Sequence, residues 1–152
     1  MKKSLSLLIL IVALTGCNSY SYKDATSEGH VVTGPAGQEN IDKLELFYQK
    51  FLKHEEDKIR IVHFTDEGDP VYLDLDSNGE QIKFSRDNSD DKFGGQSKGR
   101  KRTTCNQIIK KTGQRGESQG TEYDLKDCTS DIGYSDVTNK EYFLIFIENE
   151  EN

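Results

Sequence analysis

The apolar residues fall into segments of different period, and each period predicts an element. An apolar run from Leu5 to Leu14, interrupted only by Ser6, follows Lys2 and Lys3. Ile41, Leu44, Phe47, Tyr48, Phe51 and Leu52 then recur at three- and four-residue spacing, with Glu45, Gln49, Lys50 and Lys53 on the other side. That spacing predicts an amphipathic helix, with Asn40 as its N-cap and an end in the polar stretch 54–57. From Lys58 to Thr65 the period drops to two. Ile59, Ile61 and His63 share one face, and Val62 and Phe64 the other.

The alternation continues past a turn at Glu67-Gly68-Asp69-Pro70. Val71, Leu73 and Leu75 alternate with Tyr72 and Asp74, the chain turns at Asp76-Ser77-Asn78-Gly79, and Ile82 and Phe84 lie on the return strand. Asn-Gly supplies the positive φ that a tight hairpin needs, so an antiparallel meander is expected. The segment 87–102 is charged and glycine-rich and reads as a loop. Thr103 to Lys111 fits a short helix slightly better than a strand, and Thr112 to Gly120 reads as a second polar loop. Tyr123, Leu125 and Cys128 form a short alternating segment. Tyr142 to Ile147 is continuously apolar, which predicts a central strand buried on both faces. Asn18 to Glu39, polar and without a period, reads as a flexible tether with an r.m.s. reach of about 25 Å.

The first segment decides the compartment. Its apolar run is about ten residues, half of the roughly 20 that a spanning helix needs, so it reads as a signal peptide. Leu14-Thr15-Gly16-Cys17 closes it and resembles the lipobox of bacterial lipoproteins. That resemblance implies cleavage between Gly16 and Cys17 and a diacylglycerol thioether on Cys17. The domain would then be held by lipid on the extracytoplasmic face of the cell membrane, since two or more acyl chains anchor firmly where one does not. Loss of Lys2 and Lys3 takes the formal charge from −7 to −9. So acidic a chain is not built to bind nucleic acid by bulk charge.

With Cys17 assigned to lipid, Cys105 and Cys128 remain as an even pair. Outside the cytoplasm a disulfide is expected, worth about 3 kcal/mol for a loop of about 22 residues on the chain-entropy model. Two free thiols or a metal site are the alternatives, although no CxxC or spaced His/Cys set accompanies them.

Candidate chemistry is sparse. Asp74-Leu75-Asp76-Ser77-Asn78-Gly79 matches the start of an EF-hand loop, which makes Asp74, Asp76 and Asn78 weak calcium candidates. Ser85 stands where the bidentate glutamate belongs, and a hairpin turn explains the same residues. Lys98, Arg100, Lys101 and Arg102 form a basic stretch that either contacts anionic headgroups or wall polymers or is a solvated loop. His30, His54 and His63 lack zinc-ligand spacing, and no nucleophile elbow, phosphate loop or cofactor signature occurs.

Several residues carry a resemblance to a known family. They are Lys58-Ile59-Arg60-Ile61-Val62, Thr65, Glu67-Gly68-Asp69-Pro70, Asp87-Asn88-Ser89, Asp91-Lys92-Phe93-Gly94, Thr104-Cys105 and Cys128. With them the chain resembles small lipoproteins of Gram-positive bacteria defined by a domain of unknown function, over roughly Ile41 to Cys128. The resemblance implies a lipid anchor, one small domain and a cysteine pair, and brings no activity or catalytic residue. The expectation is therefore a leader at 1–16, a lipid-anchored tether at 17–39 and one α+β domain at 40–152. In that domain an N-terminal amphipathic helix packs on a small antiparallel sheet closed by one disulfide. The expected function is binding or interaction at the envelope, with a protein, peptide or envelope polymer as partner. An envelope enzyme with an unrecognised site is the alternative, and weak calcium binding a third reading.

Overall fold

The computed structural model describes residues 20–133 and 140–149. The leader, Gly16 and Cys17 lie outside the described residues. Helix α1 (Tyr22–Ser27) is followed by the hairpin strands β1 (Val31–Gly34) and β2 (Gly37–Glu39), then by α2 (Asp42–Leu52). Strands β3 (Asp57–Phe64), β4 (Pro70–Ser77), β5 (Ile82–Asp87), β6 (Arg100–Arg115), β7 (Ser118–Cys128) and β8 (Tyr142–Glu148) follow among the described residues. All eight strands belong to one sheet in the order β2-β1-β3-β4-β5-β6-β7-β8. Among the described residues only β1 and β3 pair in parallel, because α2 supplies the crossover between them.

The expected small sheet with a helix on it is therefore corrected to a predominantly β fold around a curled eight-stranded sheet. Three segments account for the difference. First, the expected tether is folded from Tyr20 onward. Ser21 caps α1, its Oγ accepting from the Asp24 amide at 3.2 Å while its own amide donates to Asp24 Oδ2 at 3.0 Å. Ala25, Val31 and Val32 are fully buried. Two apolar side chains at β1 suffice when they extend an existing sheet, a gain that local periodicity does not register.

Second, β6 is a sixteen-residue strand, in place of the expected short helix and loop. It pairs with β7 from Cys105↔Cys128 to Arg115↔Ser118, a long hairpin whose polar tip is strand on both arms. Polar side chains there face solvent, so β structure survives without apolar alternation. Third, β8 is not a central strand. It pairs with β7 on one side, and no strand pairs with it on the other among the described residues. Curling covers it instead: Gln38 on β2 reaches across to β8, so the two edges of the sheet face each other.

The expected helix and meander are present. Leu44 and Phe47 of α2 join Ile61, Leu73, Leu75, Phe84, Tyr123, Leu125, Tyr142 and Ile145 in one core. The other face of β3 holds a second, smaller cluster of Val62, Phe64, Val32 and Ala25, flanked by Tyr20, Tyr22 and Tyr72. Both faces of β3 are thus used, as its two-sided apolar pattern predicts. Asn40 does not cap α2. It adopts φ 56°, and its side-chain amide donates to the carbonyls of Thr26 (3.2 Å) and His30 (2.7 Å), tying α1 to the start of α2.

Candidate binding groove

Strand β3 is longer than its parallel neighbour. The β1 register begins at Val31↔Ile61, so no strand pairs with Asp57–Arg60 on the β1 side among the described residues. The chain leaves β1 at His30 and Gly29 because Gly29 takes φ 79° and turns it into α1. A notch results, with a volume of about 610 Å³, bounded by Gly29 and His30, by Lys43, Leu46 and Lys50 of α2, and by the first half of β3 with Asp74 to Asp76 of β4. Leu46 is 54% exposed there. It lies off the apolar stripe that packs α2, an outward leucine that was the one signal in the sequence pointing to this surface.

Most of the charges around the notch are paired within the protein. Lys50 pairs with Asp57 at 3.3 Å and Lys58 with Asp76 at 2.8 Å. Arg60 grips Asp74 with both Nε (2.5 Å) and Nη2 (3.1 Å), and its guanidinium lies over the Tyr72 ring. The hydrogen bond to Asp74 raises the Arg60 pKa, and the bond to Asp76 raises that of Lys58. Lys43 Nζ donates to the Gly29 carbonyl at 2.5 Å, and His30 approaches Glu28 at 3.2 Å. What the notch offers is a short open strand edge beside an apolar side chain, with no nucleophile and base in contact.

The calcium candidates are separated by the same pairing. Asp74 and Asp76 project from β4 toward Arg60 and Lys58, while Asn78 Oδ1 accepts from the amides of Glu80 and Gln81 and closes the turn. No group of three or more His, Cys, Asp or Glu residues suited to a metal occurs among the described residues. The basic stretch is likewise divided. Lys98 is exposed in the β5–β6 loop, Arg100 pairs with Asp87 at 2.9 Å, Lys101 Nζ lies toward Gly133, and Arg102 lines a depression shared with Asp74 and Asp76. Strand alternation splits consecutive side chains between faces, so a basic run in the sequence does not make one basic patch.

Cys105 and Cys128 are joined in a disulfide between directly opposed residues at the base of the β6–β7 hairpin. On the inner side of the sheet, Glu45 of α2 accepts from Lys110 Nζ at 2.7 Å and from the Tyr123 hydroxyl. Burial opposes the Glu45 charge, but the bonds from Lys110, Tyr123 and Gln49 outweigh it and hold its pKa at about 2. Burial, together with that carboxylate, pushes the Tyr123 pKa up.

A family model described as a domain of unknown function (DUF4362) matches residues 28–123. A second, the prokaryotic membrane lipoprotein lipid attachment site, matches residues 1–18. The first match begins within the segment expected to be a tether, in line with the burial of Val31 and Val32. No curated protein and no solved structure matches the chain. None of the described helices is long and apolar enough to cross a membrane.

Proposed function

This chain belongs to the family defined by the domain of unknown function DUF4362 and carries a lipoprotein attachment site, and from that premise we propose that it is an envelope binding module. Lipid on Cys17 anchors it at the extracytoplasmic face, and the notch beside β3 receives an extended polypeptide from a partner. The observation that carries this reading is the edge of Asp57–Arg60, which no strand pairs on the β1 side among the described residues, flanked by exposed Leu46. An open edge binds by main-chain hydrogen bonds, and neighbouring pockets select side chains. Native proteins usually cover or charge such an edge; here β1 stops short of it, and the charges of β3 beside it are paired with Lys50, Asp74 and Asp76.

Display selection of random peptides against the domain tests the idea. The expected outcome is enrichment of β-prone sequences whose binding is lost in Leu46→Glu and kept in Leu52→Glu, a second exposed leucine of α2 outside the notch. Binders indifferent to Leu46→Glu, or no enrichment over an unrelated lipoprotein, would overturn it. Intact mass spectrometry of the membrane-fraction protein checks the anchor: a chain starting at Cys17 with acyl mass is expected, and one retaining Met1 contradicts it.

A further inference from the structure

We propose that the end of the sheet formed by the β3–β4 turn and the β5–β6 loop rests on the bilayer, with Phe93 in the interfacial layer. This rests on the reading of Cys17 as the lipid acceptor. Only Asn18 and Ser19 separate Cys17 from Tyr20, where the described fold begins. Three residue steps span at most about 11 Å however the chain runs. The headgroup layer alone is about 5–8 Å deep on each side of the hydrocarbon, so such a leash leaves the domain almost no clearance.

Tyr20 has no slack to give back. Its hydroxyl donates to Glu28 at 2.7 Å and its ring packs on Tyr72 with centroids 5.9 Å apart. Immediately after it, Ser21 is fixed as the cap of α1. The face of the domain that carries Tyr20 and the start of α1 therefore lies toward the headgroups. Tyr20 lines one depression with Tyr22, with Pro35 and Ala36 of the β1–β2 turn, and with Phe64, Thr65, Asp66 and Gly68 at the β3–β4 turn. The β5–β6 loop is bound to that same turn: Asp69 accepts from the Lys92 amide at 2.8 Å and from Lys92 Nζ at 2.9 Å. The next residue, Phe93, is 73% exposed, more than either exposed leucine.

A phenylalanine held out on a docked loop is without a role in the core, and aromatic and apolar side chains are favoured where a peripheral protein meets the acyl boundary. Attraction to anionic lipid is not what seats it. Asp66, Glu67, Asp90 and Asp91 stand at this end, and Lys92 is committed to Asp69. The covalent lipid supplies the affinity and Phe93 the orientation. From Phe64 at this end, β3 runs back seven residue steps to Asp57, about 23 Å, so the far end of the notch, at Asp57 and Lys50, is carried away from the bilayer.

The test uses the full lipidated protein reconstituted in phosphatidylcholine vesicles with and without brominated acyl chains. The sequence contains no tryptophan, so Phe93→Trp and Leu52→Trp each introduce a unique probe. Leu52 ends α2 near His54, which meets the Gly79 turn at the opposite end of the sheet. The expected result is a blue-shifted Phe93→Trp emission that loses most of its intensity to bromolipid at low and high salt alike, with Leu52→Trp unchanged. If intact mass confirms lipid on Cys17 and both probes respond alike, the seating is wrong and the anchor stands. A mass without lipid overturns both.

Discussion

Gln38 and Phe146 join the two edges of the sheet although 108 residues separate them: the Gln38 side-chain amide donates to the Phe146 carbonyl at 2.7 Å. Edge strands β2 and β8 share no strand register, so this contact stands where a ladder would close a barrel. Gln38→Ala is expected to cost about 1 kcal/mol, the usual net worth of one such bond. Hydrogen exchange at β8 amides should accelerate more than at β4. Uniform acceleration in both strands would show that the bond does not hold the seam locally.

The disulfide between Cys105 and Cys128 clamps the open end of a hairpin whose other end is a tight turn at Gly116. Replacing both cysteines by alanine should lower unfolding free energy by about 2–4 kcal/mol, through the loosened unfolded chain. Urea denaturation with and without reductant measures this. An unchanged midpoint on reduction would mean that β6 and β7 hold each other without the link.

Glu45 makes stability pH-dependent. Its folded pKa of about 2 lies below its ordinary value of 4.5. The charged form is thus favoured by folding, and the contribution is fully present above pH 4.5 and lost as pH falls through about 2. The side chain is 38% exposed, so screening reduces the effect to roughly 1 kcal/mol. Glu45→Gln should flatten the fall in melting temperature across that acid range. Equal slopes for both proteins would contradict the assignment.

Gly79 holds the β4–β5 turn at φ 86°, and a Cβ placed there would meet the His54 carbonyl oxygen at 2.4 Å. Backbone conformation and backbone contact act together, so Gly79→Ala should destabilise by more than about 1 kcal/mol. Gly68, where an added methyl would meet nothing within 4 Å, carries only the strain of φ 84° and is the comparison. Thermal melts should rank Gly79→Ala well below Gly68→Ala, and the reverse order would remove the role given to His54.

Helix α2 and the β3–β5 meander were legible because their apolar residues repeat at the period of the element itself. The Asn78-Gly79 turn was legible for the same local reason. The notch was not, since it arises from β1 ending opposite Ile61 while β3 starts at Asp57, a mismatch between strands that are 30 residues apart in register. Nor could the run Asp74 to Asn78 reveal that Arg60 and Lys58 lie across the strand pair from Asp74 and Asp76 and occupy the carboxylates a cation would need.

The sequence by itself determined the lipid attachment site, the family, helix α2 and the β3–β5 meander, because each is written in contiguous residues. Only the tertiary structure decided that residues 20–39 belong to the domain, that β6 is a strand and that β8 is an edge. Those outcomes depend on partners supplied by distant strands: backbone hydrogen bonds and curvature that bury a surface no single segment buries alone.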